Sequence, residues 1–347
     1  MAGPALLAGW LACGGGGPQG PMGPGDAGSA GAAPIGQVFV VAMENENLGQ
    51  IYGDSTNAPY INGTLIPNGA RATEFIDALP PGVPSEPHYI WMEAGTNSFA
   101  DHTFTTDAAP SASNSTASTA HLTAQLANAG LSWTAYEEGI DTATGRCPIA
   151  GSGFYAPKHD PFVFFQDVAG SPPAKEAATC VAHVAPLSAL PGDLVSGAVA
   201  RYVFITPDLC HDMHGASACP DHDLIRAGDD WLSQNLPPLI AFANARAGVV
   251  FLVWDEGDAS GHLPFLAVGS GVKPGYAGSQ TYTHGSVLKT IERVLALPSL
   301  PTVTADSDLS DLFVSGALPG ALTPRPSAGD SEPTTTGEAH SSLRIRP

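Results

Sequence analysis

Residues 249–258 read VVFLVWDEGD. A strand with one wet face would alternate apolar and polar residues, so the unbroken apolar run from Val249 to Trp254 fits a strand of a parallel sheet covered on both sides. The run then stops on two adjacent carboxylates, Asp255 and Glu256. In open α/β sheets ligands bind at the carboxyl ends of the strands, which is where this pair falls. The same pattern recurs along the chain. VFVVAM (38–43) ends on Glu44 and Asn45, RYVFIT (201–206) leads into Pro207 and Asp208, and LPFLAVGS (263–270) closes on Gly and Ser. Helical periods lie between them. HLTAQLANAG (121–130) stops on a Gly, and SVLKTIERVLAL (286–297) sets Val287, Leu288, Ile291, Val294 and Leu295 on one face behind a Ser286 cap. Strands alternating with helices predict an α/β fold, a mostly parallel central sheet with helices on both faces.

The chain has 347 residues, 43% of them hydrophobic, enough to bury a large core. Its 13 Lys and Arg against 33 Asp and Glu give a net charge of -20, which excludes nucleic acid as a partner, because phosphate backbones require basic patches. The first 13 residues, MAGPALLAGWLAC, are small and apolar, and residues 14–34 are too rich in Gly and Pro to pack. They read as an export signal and a tether. Ala12-Cys13 resembles a bacterial lipoprotein cleavage site with Cys13 as the lipid anchor, although Trp10 stands where Leu is usual and no Lys or Arg precedes the apolar stretch. The expected location is outside the cytoplasm: periplasmic, anchored at the cell surface, or secreted. Beyond the signal no apolar run is long enough to cross a membrane. Residues 35–322 form the expected folded domain, and the polar, Pro- and Ser-rich stretch 323–347 is expected to be a disordered tail. Setting Cys13 aside, Cys147, Cys180, Cys210 and Cys219 suit disulfides in an oxidising compartment. Pairing Cys210 with Cys219 leaves Cys147 with Cys180, and two other connectivities remain open.

Several motifs are missing. GGGPQG (15–20) spells G-x-G-x-x-G but follows no strand and contains Pro18, and neither a Walker A loop, H-E-x-x-H nor G-x-S-x-G occurs. What remains is a gathering of oxygen ligands. Parallel strands bring Glu44-Asn45, Asp208 and Asp255-Glu256 to one sheet edge, where like charges would repel unless a divalent cation bound them. Ser85, between two prolines in GVPSEPHYIWMEAGT (82–96), leads into a helix whose free N–H groups favour an incoming phosphate. LCHDMHGASACPDHD (209–223) packs His211, Asp212, His214, Asp221, His222 and Asp223 into one loop, YAPKHDPF (155–162) adds His159, and YTHGS (282–286) adds His284. His102, His121, His183, His262 and His340 are read as structural.

The order of MENEN, PSEPHY, YAPKHDPF, TPDLCHDMHG, VVFLVWDE, LPFLAVGSGVKPG and YTHGSVLKTIERVLALPSL resembles the bacterial phosphoesterase family of acid phosphatases and phospholipases C, within the alkaline phosphatase superfamily. The resemblance spans roughly residues 36–300. It implies an alkaline phosphatase-like fold, a phosphate ester substrate, and a divalent metal ion of unspecified identity held by Glu44, Asn45, Asp255, Glu256 and the nucleophile Ser85. It also implies that His159 and His214 contact the phosphoryl group. Two departures stand out. His88 occupies the place where the family usually has an Asn that holds a phosphoryl oxygen, and Asp255-Glu256 replaces the Asp-His pair of two-zinc relatives, so one metal is expected. The activity implied first is a phosphomonoesterase; the alternatives are a phospholipase C-type phosphodiesterase and a catalytically silent surface protein that binds phosphate or sugar.

Overall fold

The computed structural model describes residues 35–140, 145–257, 261–316 and 318. The expected export signal, Cys13, the expected tether and the expected 323–347 tail lie outside the described residues. Eight strands are built: β1 (Val38–Met43), β2 (Ala70–Phe75), β3 (Trp133–Glu137), β4 (Val184–Pro186), β5 (Tyr202–Thr206), β6 (Val249–Trp254), β7 (Phe265–Gly269) and β8 (Tyr276–Tyr282). They form one sheet in the order β4-β3-β5-β1-β6-β7-β2-β8. The centre is parallel. β1 lies between β5 and β6, in register from Val38 opposite Val249 to Met43 opposite Trp254. Glu44 and Asp255 therefore leave the sheet side by side.

The unbroken apolar runs of β1 and β6 have the expected cause. Val38, Val40, Ala42, Val249, Phe251 and Val253 point into one core, which also contains Tyr89 and Ile90 of the helix Ser85–Ala94 and Leu288 and Ile291 of the helix His284–Val294. Phe39, Val41, Met43, Val250, Leu252 and Trp254 point into the other, against Trp231, Leu232, Leu236 and Leu239 of the helix Leu224–Ala245. Both faces are dry, so neither can carry polar side chains.

Not every strand runs the same way. β7 pairs antiparallel with β6 and with β2, whereas β2 and β8 are parallel. Segment 255–264 is too short for a parallel return, which needs a crossover of about a dozen residues or more, so the chain can only double back. The predicted helix over 286–297 starts instead at His284, with Thr283 as cap and its N–H donating to Ser286 Oγ at 3.1 Å. The helix Leu224–Ala245 escaped the sequence reading because Pro237 and Pro238 interrupt it. Both prolines lie on its exposed face, where water can satisfy the carbonyls that lose a partner. Disulfides join Cys147 to Cys180 and Cys210 to Cys219. Among the described residues no helix is long and apolar enough to cross a membrane.

Candidate active site

The centre of the sheet edge is built around Ser85. It is the first residue of its helix, follows Pro84, and is 2% exposed. Its hydroxyl lies 3.1 Å from Glu44 Oε2 and 3.1 Å from Glu256 Oε1, and so bridges the acids that end β1 and β6. Asn45 ties the same two strands, donating from its backbone to Asp255 Oδ1 at 3.1 Å and from its side chain to Glu44 Oε2 at 3.3 Å. Its φ of 60° is left-handed, a conformation Asn tolerates better than most residues, and it turns the chain back over the strand end. Glu44, Asn45, Ser85, Asp255 and Glu256, distant in sequence, thus form one connected network.

This network is overcrowded with negative charge. Burial, and then repulsion from Asp212, push the Glu44 carboxyl well above its ordinary range. Burial and the Glu44 charge do the same to Asp255, and burial raises Glu256. Asp255 Oδ2, Glu44 Oε1 and Asp212 Oδ2 are buried and make no hydrogen bond. Buried carboxylate oxygens normally find partners. Oxygen-rich, unsatisfied and acidic, the site has the donor set of a hard or borderline divalent cation.

The predicted histidines divide. His159 is buried, stacked on Tyr89 with centroids 5.0 Å apart, with Nδ1 3.2 Å from Asp212 Oδ2 and Nε2 3.1 Å from Glu44 Oε1. Burial, with Lys158 and His214 nearby, holds its pKa well below the usual value, so the ring is neutral. His214 donates from Nδ1 to Gly215 O at 2.8 Å, which leaves Nε2 to accept from Lys158 Nζ at 3.2 Å. Together Glu44, His159 and His214 present ligand atoms within 4.8 Å of one another. His88 forms a second such group with Asp255 and Glu256. Its nitrogens are both engaged, Nδ1 with Pro84 O and Nε2 with Asp77 Oδ2, each at 2.9 Å. Burial opposes its charge, but the Asp77 hydrogen bond and the Asp255 charge prevail and raise its pKa to about 9. His88 is therefore a fixed cation beside the acids.

Three residues at this centre, Lys158, Asp107 and Asp77, were missed, and Asp212 was named only as a member of its loop. Lys158 lies 3.5 Å from Ser85 Oγ and pairs with Asp107 at 2.6 Å; Asp107 in turn accepts from the Glu86 N–H at 3.0 Å and so caps the Ser85 helix. Asp77 holds His88, and Asp212 faces His159. Lys158 had a signal, a cation beside His159 in a chain with few cations, whereas Asp77 and Asp107 stand in loops whose sequence says nothing of their partners. Asp208, expected at this edge, is bound elsewhere. It and Glu138 hold His211 at 3.1 Å and 3.0 Å, and those hydrogen bonds lift His211 to about 10. His284 donates to Trp254 O at 2.8 Å beneath the site, and burial pulls its pKa down to about 4. His102 meets Asn114 Oδ1, His183 meets Trp133 O and His121 meets Glu93, as structural residues do; His340 lies outside the described residues.

Comparison with known proteins places this geometry. The Phosphoesterase family matches residues 82–298, more than half of the chain. The chain is 28% identical over 278 residues to the phosphatidylinositol-3-phosphatase of Mycobacterium tuberculosis, covering 80% of this chain and 82% of that protein. It is 28% identical over 181 residues to the phosphate-repressible acid phosphatase of Penicillium chrysogenum, covering 49% of this chain and 40% of that protein. In fold it is similar to the phosphonate monoester hydrolase of Silicibacter pomeroyi, with a TM-score of 0.52 at 11% identity over 80% of this chain and 76% of that one. Matched span, relatives and sheet agree: the chain belongs to the Phosphoesterase family and is a phosphoric ester hydrolase.

Proposed function

We propose that the chain is an exported, metal-dependent phosphomonoesterase with Ser85 as nucleophile. The observation that carries this reading is the placement of Ser85 Oγ, 3.1 Å from both Glu44 and Glu256 at the start of a helix. Glu44, Asn45, Asp255, Glu256 and the Ser85 hydroxyl would hold one divalent ion, for which the buried, unpartnered Oδ2 of Asp255 provides the fit. When bound, such an ion neutralises the acids and lowers the pKa of the coordinated hydroxyl.

The chain's own residues supply the rest. Ser85 Oγ attacks phosphorus, the bond to the alcohol oxygen breaks, and the phosphoserine is later cleaved by water. Lys158, within 3.5 Å of Ser85 Oγ, is placed to donate to a phosphoryl oxygen as charge builds up there. His214, half-buried and accepting at Nε2 from Lys158 Nζ, is placed, rather than the enclosed His159, to relay a Lys158 proton to the departing alcohol. His159 acts as a positioning residue between Glu44 and Asp212. His88 offsets the charge of Asp255 and Glu256 instead of reaching for the phosphoryl group. The two disulfides support export, since such bonds persist in oxidising compartments.

Ser85→Ala is the test. Turnover of an aryl monophosphate, metal supplied, should fall to background while circular dichroism and the thermal midpoint stay near wild type; near-normal turnover would remove Ser85 from its role. A phosphocholine diester run beside the monoester tests the ester class, with faster release from the monoester expected.

A further inference from the structure

One cavity adjoins the Ser85 centre on the side of Lys158, and a second adjoins the first. The nearer, about 330 Å³, is lined by Asp107, Lys158, Gly151 and Tyr155 among others. The farther, about 340 Å³, shares Gly151 and Tyr155 with it and is lined also by Arg146, Ile149 and Lys175. Both fall in the size range of small-molecule pockets. Among the described residues the farther one has no carboxylate in its lining.

Its two cations are unusual. Every other Lys or Arg among the described residues is tied to a carboxylate, a backbone carbonyl or an aromatic ring. Arg146 and Lys175 alone have no such partner. They are nonetheless held together: the Cys147 N–H donates to Lys175 O at 2.8 Å, and the Cys147–Cys180 disulfide fastens the same segment. Two unneutralised cations on a braced wall, in the cavity next to the one that Lys158 lines, offer counter-charges to an anion.

Resting on the phosphomonoesterase reading above, we propose that this cavity receives a second phosphoryl group carried by the substrate's alcohol, with Arg146 and Lys175 as its ligands and the nearer cavity holding the body of the alcohol. The enzyme's preferred substrates would then be bisphosphorylated small molecules rather than simple monoesters.

Binding to Ser85→Ala protein tests this without turnover. With a divalent metal supplied and at low salt, calorimetry should show glucose 1,6-bisphosphate bound about tenfold more tightly than glucose 1-phosphate, the effect of two partly exposed ion pairs. In Ser85→Ala/Arg146→Gln/Lys175→Gln protein, that preference should fall to about one. It should also collapse in the parent at about 1 M salt, where exposed charges are screened. Equal or undetectable binding of the two sugars by the parent, or a preference that survives the double substitution, overturns the subsite. The phosphomonoesterase reading fails separately, if wild-type protein releases no phosphate from either sugar while the binding preference persists.

Discussion

Lys158 is the residue on which the site's chemistry turns most sharply, because it is the only cation with contacts to Ser85, Asp107 and His214 at once among the described residues. Burial works against its charge, but the Asp107 hydrogen bond and the Glu44 charge outweigh that and keep it protonated. Lys158→Gln should therefore lower kcat on an aryl phosphate by about 10²–10³, the usual loss when one donor to a developing oxyanion is removed. An unchanged kcat would show that Lys158 merely caps the helix through Asp107. Asp255 makes the complementary case. Its buried Oδ2 has no partner and its charge is disfavoured by burial, so Asp255→Asn should raise the thermal midpoint of metal-free protein by a few degrees. The same variant should lose the further rise that added divalent metal gives the wild type. A metal-induced shift equal to that of wild type would exclude Asp255 as a ligand. Strand-end acids such as Glu44 and Asp255 were legible in the sequence because a fully apolar run that stops on charge marks the place where a buried strand leaves its sheet. Asp77 and Asp107 were not, because what defines each is a partner 11 to 51 positions away.

At the scale of elements, legibility followed burial. β1, β5 and β6 announce themselves as continuous apolar runs because both of their faces are dry. β8, YAGSQTY, has mostly exposed side chains, and nothing in its composition distinguishes it from a loop. Its place comes from pairing with β2, a long-range contact that a local pattern does not encode. The Ser85 helix shows how such contacts hold a site in place. It ends at Gly95, whose φ of 65° is left-handed, and a Cβ there would lie 2.4 Å from Val303 Cγ1. Thr302 donates to Ala94 O at 2.7 Å, so the segment after the last long helix clamps the carboxyl end of the helix that carries Ser85 at the other. Gly95→Ala should cost roughly 1–3 kcal/mol in urea unfolding, from the backbone strain and the overpacking together. A loss below about 0.5 kcal/mol would mean the clamp yields easily.

Over the whole molecule, one buried network couples stability to pH. His121 is enclosed between Glu93 on the Ser85 helix and Asp167, with Nδ1 2.9 Å from Glu93 Oε1 and Nε2 3.1 Å from Asp167 Oδ2, and its ring stacks on Phe165. Glu93 also accepts from the Thr123 N–H at 2.7 Å, which ties the Ser85 helix to the helix Leu122–Asn128. Burial disfavours the imidazolium, but the hydrogen bonds it donates to Asp167 and Glu93 overcome that and lift the pKa from 6.5 to about 9. Because the folded value is the higher one, folding takes up a proton between the two. The contribution is full below pH 6.5 and is lost as pH rises through about 9. At 1.36 kcal/mol per unit this amounts to roughly 3 kcal/mol. His88 and His211 shift in the same direction, so the wild-type profile alone would not isolate His121. The difference between wild type and His121→Gln does, because the other two groups contribute equally to both. Urea unfolding measured from pH 6 to 10 should give a gap that is widest at the acid end and closes towards pH 10. A gap that is constant with pH would show that His121 acts through its packing on Phe165 and not through its charge.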